Sequence, residues 1–91
     1  MYANLVKKYQ AKNPYYHYAV AEQAFHNAAF DEALLAVNQA IKLERDNARF
    51  YALRAATAQE LGDQDLEQKS LRLQARHSKR KQARMSPRLN P

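Results

Sequence analysis

Two consecutive stretches decide the fold of this chain: residues 13–46, NPYYHYAVAEQAFHNAAFDEALLAVNQAIKLERD, and residues 47–68, NARFYALRAATAQELGDQDLEQ. Small, aromatic and acidic residues recur between them at a fixed offset of 34 positions. The matched pairs are Asn13 with Asn47, Tyr16 with Phe50, His17 with Tyr51, Ala21 with Ala55, Ala24 with Ala58, and Asp31 with Asp65. A period of this length, with two helices per unit, is typical of stacked helical hairpins rather than of a single-core enzyme domain. The pattern predicts a domain that binds and does not catalyse.

Composition agrees with an all-α fold. The chain has 91 residues, 46% of them hydrophobic, with abundant Ala and Leu and a single glycine, Gly62. Ala and Leu lose little on entering a helix, whereas a sheet protein needs more turns and more β-branched residues. There is no cysteine, so disulfides and thiolate metal sites are excluded. No apolar run approaches the roughly 20 residues that span a bilayer, and Lys7 and Lys8 interrupt the first apolar stretch. We therefore expect a soluble protein, cytoplasmic or periplasmic, that makes no membrane contact.

Charge is distributed unevenly along the chain. Residues 1–68 hold seven Lys/Arg and all nine Asp/Glu, a net charge of −2. Residues 69–91 hold eight Lys/Arg and no acid, a net charge of +8. Such a block usually forms a solvated helix end or a tail, and less often a surface for phosphates or acidic partners.

Hydrophobic periodicity predicts about five helices. Helical spacing marks residues 2–12, which end at Asn13-Pro14, and a second helix follows over residues 15–27. A third begins near Asp31 and runs to Leu43, and a fourth covers residues 48–61 and ends at Gly62. The fifth begins at Asp63 or Asp65, with a thin apolar face of Leu66, Leu71 and Leu73. We expect packing to end near residue 76, because the residues beyond are almost wholly polar.

Residues 14–47 and 48–80 resemble two tetratricopeptide repeats. The features that carry the resemblance are His17 and Tyr51 early in the first helix of each repeat, the small residues Ala21, Ala24, Ala55 and Ala58, the start Phe30-Asp31-Glu32-Ala33, Ala40 and Leu43, and the turn Leu61-Gly62-Asp63. The second repeat is degenerate, with Glu67 in place of a small residue. The resemblance implies antiparallel hairpins stacked as a short superhelix.

In the same terms, residues 1–13 resemble the second helix of an absent preceding repeat, and residues 81–91 form a basic tail that we expect to be disordered. The resemblance then implies a fragment, or the C-terminal end of a longer array. Alternatively, self-association covers the hairpin face that is exposed on the N-terminal side, and in that case we expect a homodimer.

The resemblance also implies a partner-binding surface. In the family, the first helix of each repeat lines a concave face that binds peptides or protein segments. Carried across, this face comprises Tyr15, Tyr18, Glu22, Phe25, His26, Arg49, Ala52, Ala56, Gln59 and Glu60. Rigid aromatic rings beside charges suit such recognition, although Tyr18 and Phe25 are equally well explained as packing against the flanking helix. Tyr18 and Glu22 stand where the family's clamp for chaperone C-termini needs Lys and Asn, which disfavours that partner class.

The sequence gives little support for a metal, catalytic or base-stacking site. The three histidines, His17, His26 and His77, lack metal-ligand spacing, so no metal or other cofactor is expected. There is no Gly-rich phosphate loop, the serines all lie in the basic segment, and Glu22 with His26 reads as a helix-surface contact. The tyrosines around Pro14 are explained better by sealing a helix junction than by stacking bases.

The basic segment is the chief competitor to the concave face. Its cations are Arg76, Lys79, Arg80, Lys81, Arg84 and Arg88, which are spread around a helix axis rather than gathered in one stripe. Nucleic-acid binding through phosphates is feasible there, and few apolar residues accompany the charges, which argues against a membrane-surface helix. The alternative is that these cations lie at the end of a helix, where they interact favourably with the helix dipole and keep a terminal repeat soluble.

Overall fold

A computed structural model describes the backbone of residues 10–85 and the side chains of residues 10–79. The described backbone forms four helices and no strand: α1 Pro14–His26, α2 Phe30–Leu43, α3 Ala48–Leu61 and α4 Gln64–Met85. Residues 10 and 11 are helical and lead into the turn before α1. The rest of the expected first helix lies outside the described residues, as does the segment 86–91. The all-α prediction is confirmed.

The helices pair as two hairpins, α1 with α2 and α3 with α4. The second hairpin stacks on the first because α3 packs against α2 and, over a shorter length, against α1. Small residues at the crossings permit this close approach, since Ala21, Ala33, Ala40 and Ala58 are all completely buried. Val37 and Phe50 fill the space between the hairpins, with Leu34, Ile41 and Leu53 around them.

The 34-residue offset also governs the start of each hairpin. The side chain of Asn13 accepts a hydrogen bond from the backbone N–H of Tyr15, 2.9 Å, and Asn47 accepts one from Arg49, 3.0 Å. Each asparagine therefore caps the helix that follows it. His17 Nε2 donates to the carbonyl of Ala11, and at the equivalent position the Tyr51 hydroxyl donates to the carbonyl of Arg45. His17 and Tyr51 thus fasten the equivalent helices α1 and α3, each to the carbonyl six residues before it.

The offset extends to the turn inside each hairpin. The N–H of Ala29 donates to the carbonyl of Ala24, 2.8 Å, and that of Asp63 donates to Ala58, 2.9 Å. The residue before each donor is left-handed: Ala28 has φ 62° and Gly62 has φ 77°. Both α1 and α3 therefore end in the same kind of C-terminal cap. Only α3 has a glycine there, which adopts the left-handed conformation without strain.

Helix α4 departs from the prediction in two ways. It continues to Met85, so residues 81–85, assigned from the sequence to a disordered tail, are helical. The predicted apolar face is also wrong in one member, because Leu71 is 40% exposed while Ser70 is completely buried. Among the described residues, no helix is sufficiently long and apolar to cross a bilayer.

Candidate partner-binding face

The candidate face is built from α1 and α3, the first helices of the two hairpins, which contact each other over a short length. Their candidate residues are related by the same offset, so that Tyr15 corresponds to Arg49, Tyr18 to Ala52 and Phe25 to Gln59. One helix contributes aromatic rings where the other contributes polar or small side chains. The two halves of the face therefore differ in chemistry although they share a backbone.

Tyr15 is the most exposed aromatic residue of this face, at 53%. Its ring edge meets Phe50 at a centroid distance of 5.8 Å, and its hydroxyl donates to Glu44 Oε2 at 3.2 Å. The same carboxylate oxygen accepts from Asn47 Nδ2 at 2.8 Å. Tyr15 thus ties the start of α1 to the turn between α2 and α3, and one side of its ring remains open to a partner.

Tyr18 lies between the core and the surface. Its ring centroid is 5.1 Å from that of Phe50, which partly buries it. Burial and the negative charge of Glu22 raise the pKa of Tyr18 above its ordinary value, and the positive charge of Arg49 acts in the opposite direction. The structure therefore gathers Tyr18, Glu22 and Arg49 from two helices at one place, with Glu22 and Arg49 exposed.

The remaining candidates are less concentrated. Phe25 packs its ring on Phe30, 5.3 Å away, and is therefore committed to the turn of the first hairpin. His26 is exposed beside it. On α3, Ala52 and Ala56 are half-buried and Gln59 and Glu60 are exposed. The Tyr15–Tyr18–Glu22–Arg49 group is the part of the predicted site that the fold brings together.

A polar cluster that the sequence analysis did not single out joins α2, α3 and α4. Arg54 Nε donates to Ser70 Oγ at 2.9 Å, and Arg54 Nη1 donates to Asn38 Oδ1 at 3.2 Å. The guanidinium carbon also lies 5.3 Å from the centre of the Tyr51 ring. Burial lowers the pKa of Arg54 from its ordinary value. A signal was present, because Arg54 falls on the helix face that the repeat pattern turns toward α2.

His77 joins this cluster through the ring of Tyr51. The two rings are stacked with centroids 5.4 Å apart and planes 12° apart. Its Nδ1 is buried without a hydrogen-bond partner among the described residues. Tyr51 thus contacts both a cation and an imidazole, and the packing of α4 reaches His77. Within the described part of the chain no group of His, Cys, Asp or Glu is arranged to hold a metal ion.

The basic segment is partly visible. Arg76 and Lys79 are exposed on α4, and the backbone of Arg80, Lys81 and Arg84 continues the same helix. Arg88 lies outside the described residues. Two further exposed cations, Lys69 and Arg72, precede Arg76 on α4 and were not counted with it from the sequence.

The outer face of α1 is more apolar than its counterpart on α3. Tyr16 is 39% exposed and Val20 is 41% exposed. The equivalent residues of the second hairpin are Phe50, which is completely buried, and Arg54, which is bonded to α2 and α4. The difference arises because α2 covers α3 at this position. The homodimer expected from the sequence, in which a second copy covers this exposed face, stays a prediction.

Comparison of this chain with protein-family models, with curated proteins and with solved structures finds no match in any of the three. The resemblance to tetratricopeptide repeats therefore stays a prediction from the sequence.

Proposed function

We propose that this chain is a non-enzymatic, tetratricopeptide-like module that binds a peptide or a segment of a partner protein on the face formed by α1 and α3. The observation that carries the proposal is the group of Tyr15, Tyr18, Glu22 and Arg49. It offers one open aromatic surface, one acceptor and one multivalent donor within a small area. Such a mixture favours recognition of a chain that has both apolar and polar side groups.

The repeated backbone supports the same proposal. The caps and turns at residues 13 and 47, and at 28 and 62, give α1 and α3 equivalent positions in their hairpins. Equivalent helices of successive hairpins present a repeated surface on which an extended segment can bind. Some polar groups join different elements: Arg54 donates to Ser70, and Glu44 accepts from Tyr15 and Asn47.

The test is selection of binders from a random peptide library displayed on phage, followed by affinity measurement on purified protein. Peptides selected by the parent chain should bind the Arg49→Ala and Glu22→Gln variants at least about tenfold more weakly, since each loses a charge-assisted contact worth about 1.5–3 kcal/mol. Lys42→Ala, an exposed cation at the end of α2, is the matched control and should keep the parent affinity.

Two results would overturn the proposal. Failure to select any peptide, or peptides whose affinity is indifferent to Arg49→Ala and Glu22→Gln, removes this face as the binding site. Circular dichroism of each variant separates loss of binding from loss of fold, because both substituted side chains are exposed.

A further inference from the structure

Four of the seven cations of α4 form a stripe, although the basic residues from Arg76 to Arg84, taken together, are spread around the helix axis. Lys69, Arg72, Arg76 and Lys79 are spaced by three, four and three residues, and all four are exposed. At 3.6 residues per turn they fall within an arc of about 80° and extend about 15 Å along the axis. We call these four residues the α4 stripe.

The stripe lies away from the packed side of its helix. The buried or half-buried residues of α4 are Leu66, Glu67, Ser70, Leu73, Gln74 and His77. They centre roughly 140° around the axis from the stripe, by the same helical geometry. Packing of α4 on α3 therefore fixes the direction in which the stripe points. The stripe is presented by a rigid helix rather than by a loose tail.

Charge separates sharply between the stripe and the rest of the described molecule. Residues 10–67 contain nine acids and five Lys/Arg, a net charge of −4, while residues 68–79 contain four Lys/Arg and no acid, a net charge of +4. A polyanion is repelled by the net charge of residues 10–67, which include Asp65 and Glu67 at the start of α4, and is attracted to residues 68–79. The charge distribution therefore orients such a ligand on the stripe.

We propose that the α4 stripe binds the phosphate backbone of double-stranded nucleic acid without sequence preference. A duplex is a linear polyanion with one charge per about 1.7 Å of axis, so a straight row of cations can meet several phosphates at once. Helix α4 contains no Phe, Tyr or Trp, and its one imidazole is stacked on Tyr51. Single strands are held largely by stacking of bases on aromatic rings, which this helix does not offer. No apolar residue lies between the four cations on their side of the helix, and a membrane-surface helix needs such residues.

The experiment measures fluorescence anisotropy of a labelled mixed-sequence 20-base-pair DNA duplex with the full chain at 50–200 mM salt. The stripe variant carries Arg72→Gln, Arg76→Gln and Lys79→Gln. Lys69 is left unchanged because Asp65, one helical turn before it, carries the opposite charge. The control variant carries Lys12→Gln, Lys42→Gln and Arg45→Gln, three exposed cations from the part of the molecule with net negative charge. Both variants therefore lose the same charge.

For three phosphate contacts, the slope of log K against log salt should be shallower by about 2.7 in the stripe variant than in the parent. Between 50 and 200 mM salt the parent should accordingly lose about 40-fold more affinity than the stripe variant. The control variant should keep most of the parent slope, and a second duplex of unrelated sequence should bind equally.

Equal effects of the two variants would mean that net charge alone attracts the duplex, and the stripe would be rejected. Tighter binding of a 20-nucleotide single strand, or of vesicles containing phosphatidylserine, would replace the duplex with another ligand and overturn the proposal. Loss of self-association in the stripe variant, seen by light scattering without any duplex binding, would assign the stripe to contacts between copies. None of these outcomes depends on the peptide face of α1 and α3.

Discussion

The residue that ends α1 differs from its counterpart at the end of α3. Ala28 has φ 62° and Gly62 has φ 77°, and a Cβ built at Gly62 meets nothing within 4 Å. The left-handed conformation costs an L-residue about 1–2 kcal/mol, part of which is offset by the greater freedom that glycine gives to the unfolded chain. The turn after α1 is therefore strained at Ala28, whereas the turn after α3 is not strained at Gly62.

We expect Ala28→Gly to raise the free energy of unfolding by about 1 kcal/mol and Gly62→Ala to lower it by a similar amount. Urea denaturation followed by circular dichroism measures both. Effects of the same sign in the two variants would contradict the equivalence of the two turns.

We expect Tyr18 to make the stability of the molecule depend on pH. Its pKa is raised from 10.0 by burial and by Glu22. A raised pKa in the folded state means that its contribution to stability is complete below pH 10 and is lost as pH rises through the folded pKa. The parent should therefore lose more stability than Tyr18→Phe between pH 9 and 11, as measured by denaturant unfolding at each pH. Parallel pH profiles would show that Tyr18 is not the group responsible.

At the scale of elements, Arg54 is the side chain that fastens three helices to one another. It bonds to Asn38 on α2 and Ser70 on α4 from its place on α3. Arg54→Ala removes these bonds and leaves the buried Ser70 hydroxyl without its donor, which should lower the free energy of unfolding by about 2–3 kcal/mol. Arg49→Ala, on the exposed side of the same helix, should change it by less than about 0.5 kcal/mol.

A double-mutant cycle with Ser70→Ala isolates the bond itself. We expect a coupling free energy of about 1–2 kcal/mol between Arg54 and Ser70. Additive effects of the two substitutions would mean that Arg54 stabilises the hairpins only through its stem and its position over Tyr51.

Phe50 lies where the two hairpins meet, so we expect its removal to destabilise both of them. Phe50 is completely buried, and its ring contacts both Tyr15 and Tyr18 of the first hairpin. Phe50→Ala should lower the free energy of unfolding by about 3–5 kcal/mol. Hydrogen exchange should show protection falling in both hairpins together, because each contributes a wall of the resulting cavity. Loss of protection in the second hairpin alone would indicate that the hairpins fold separately.

Phe25→Ala is the comparison for this prediction. The Phe25 ring is half-buried and packs on Phe30 within the first hairpin. Its removal should cost less than removal of Phe50 and should leave the exchange pattern of the second hairpin nearly unchanged.

Much of this molecule follows from local sequence. Asn13 and Asn47 cap helices because a short side-chain oxygen reaches the free N–H groups of the first turn, and Gly62 ends α3 because it adopts the left-handed conformation without strain. The bounds of α3, the all-α class and the two hairpins were accessible because these signals act within a few residues. The 34-residue spacing then placed the two hairpins in equivalent roles.

Tertiary structure alone decided which polar residues are buried and what they hold. Ser70 and Arg54 are 16 residues apart and meet only after α4 folds back on α3, and Leu71 is exposed although its hydrophobicity favours burial. The same packing reaches His77, just past the expected boundary near residue 76, and turns outward the side of α4 that carries Lys69, Arg72, Arg76 and Lys79. Periodicity and capping are local and can be read from neighbouring residues, whereas the side of a helix that meets its neighbour is set by contacts between segments distant in sequence.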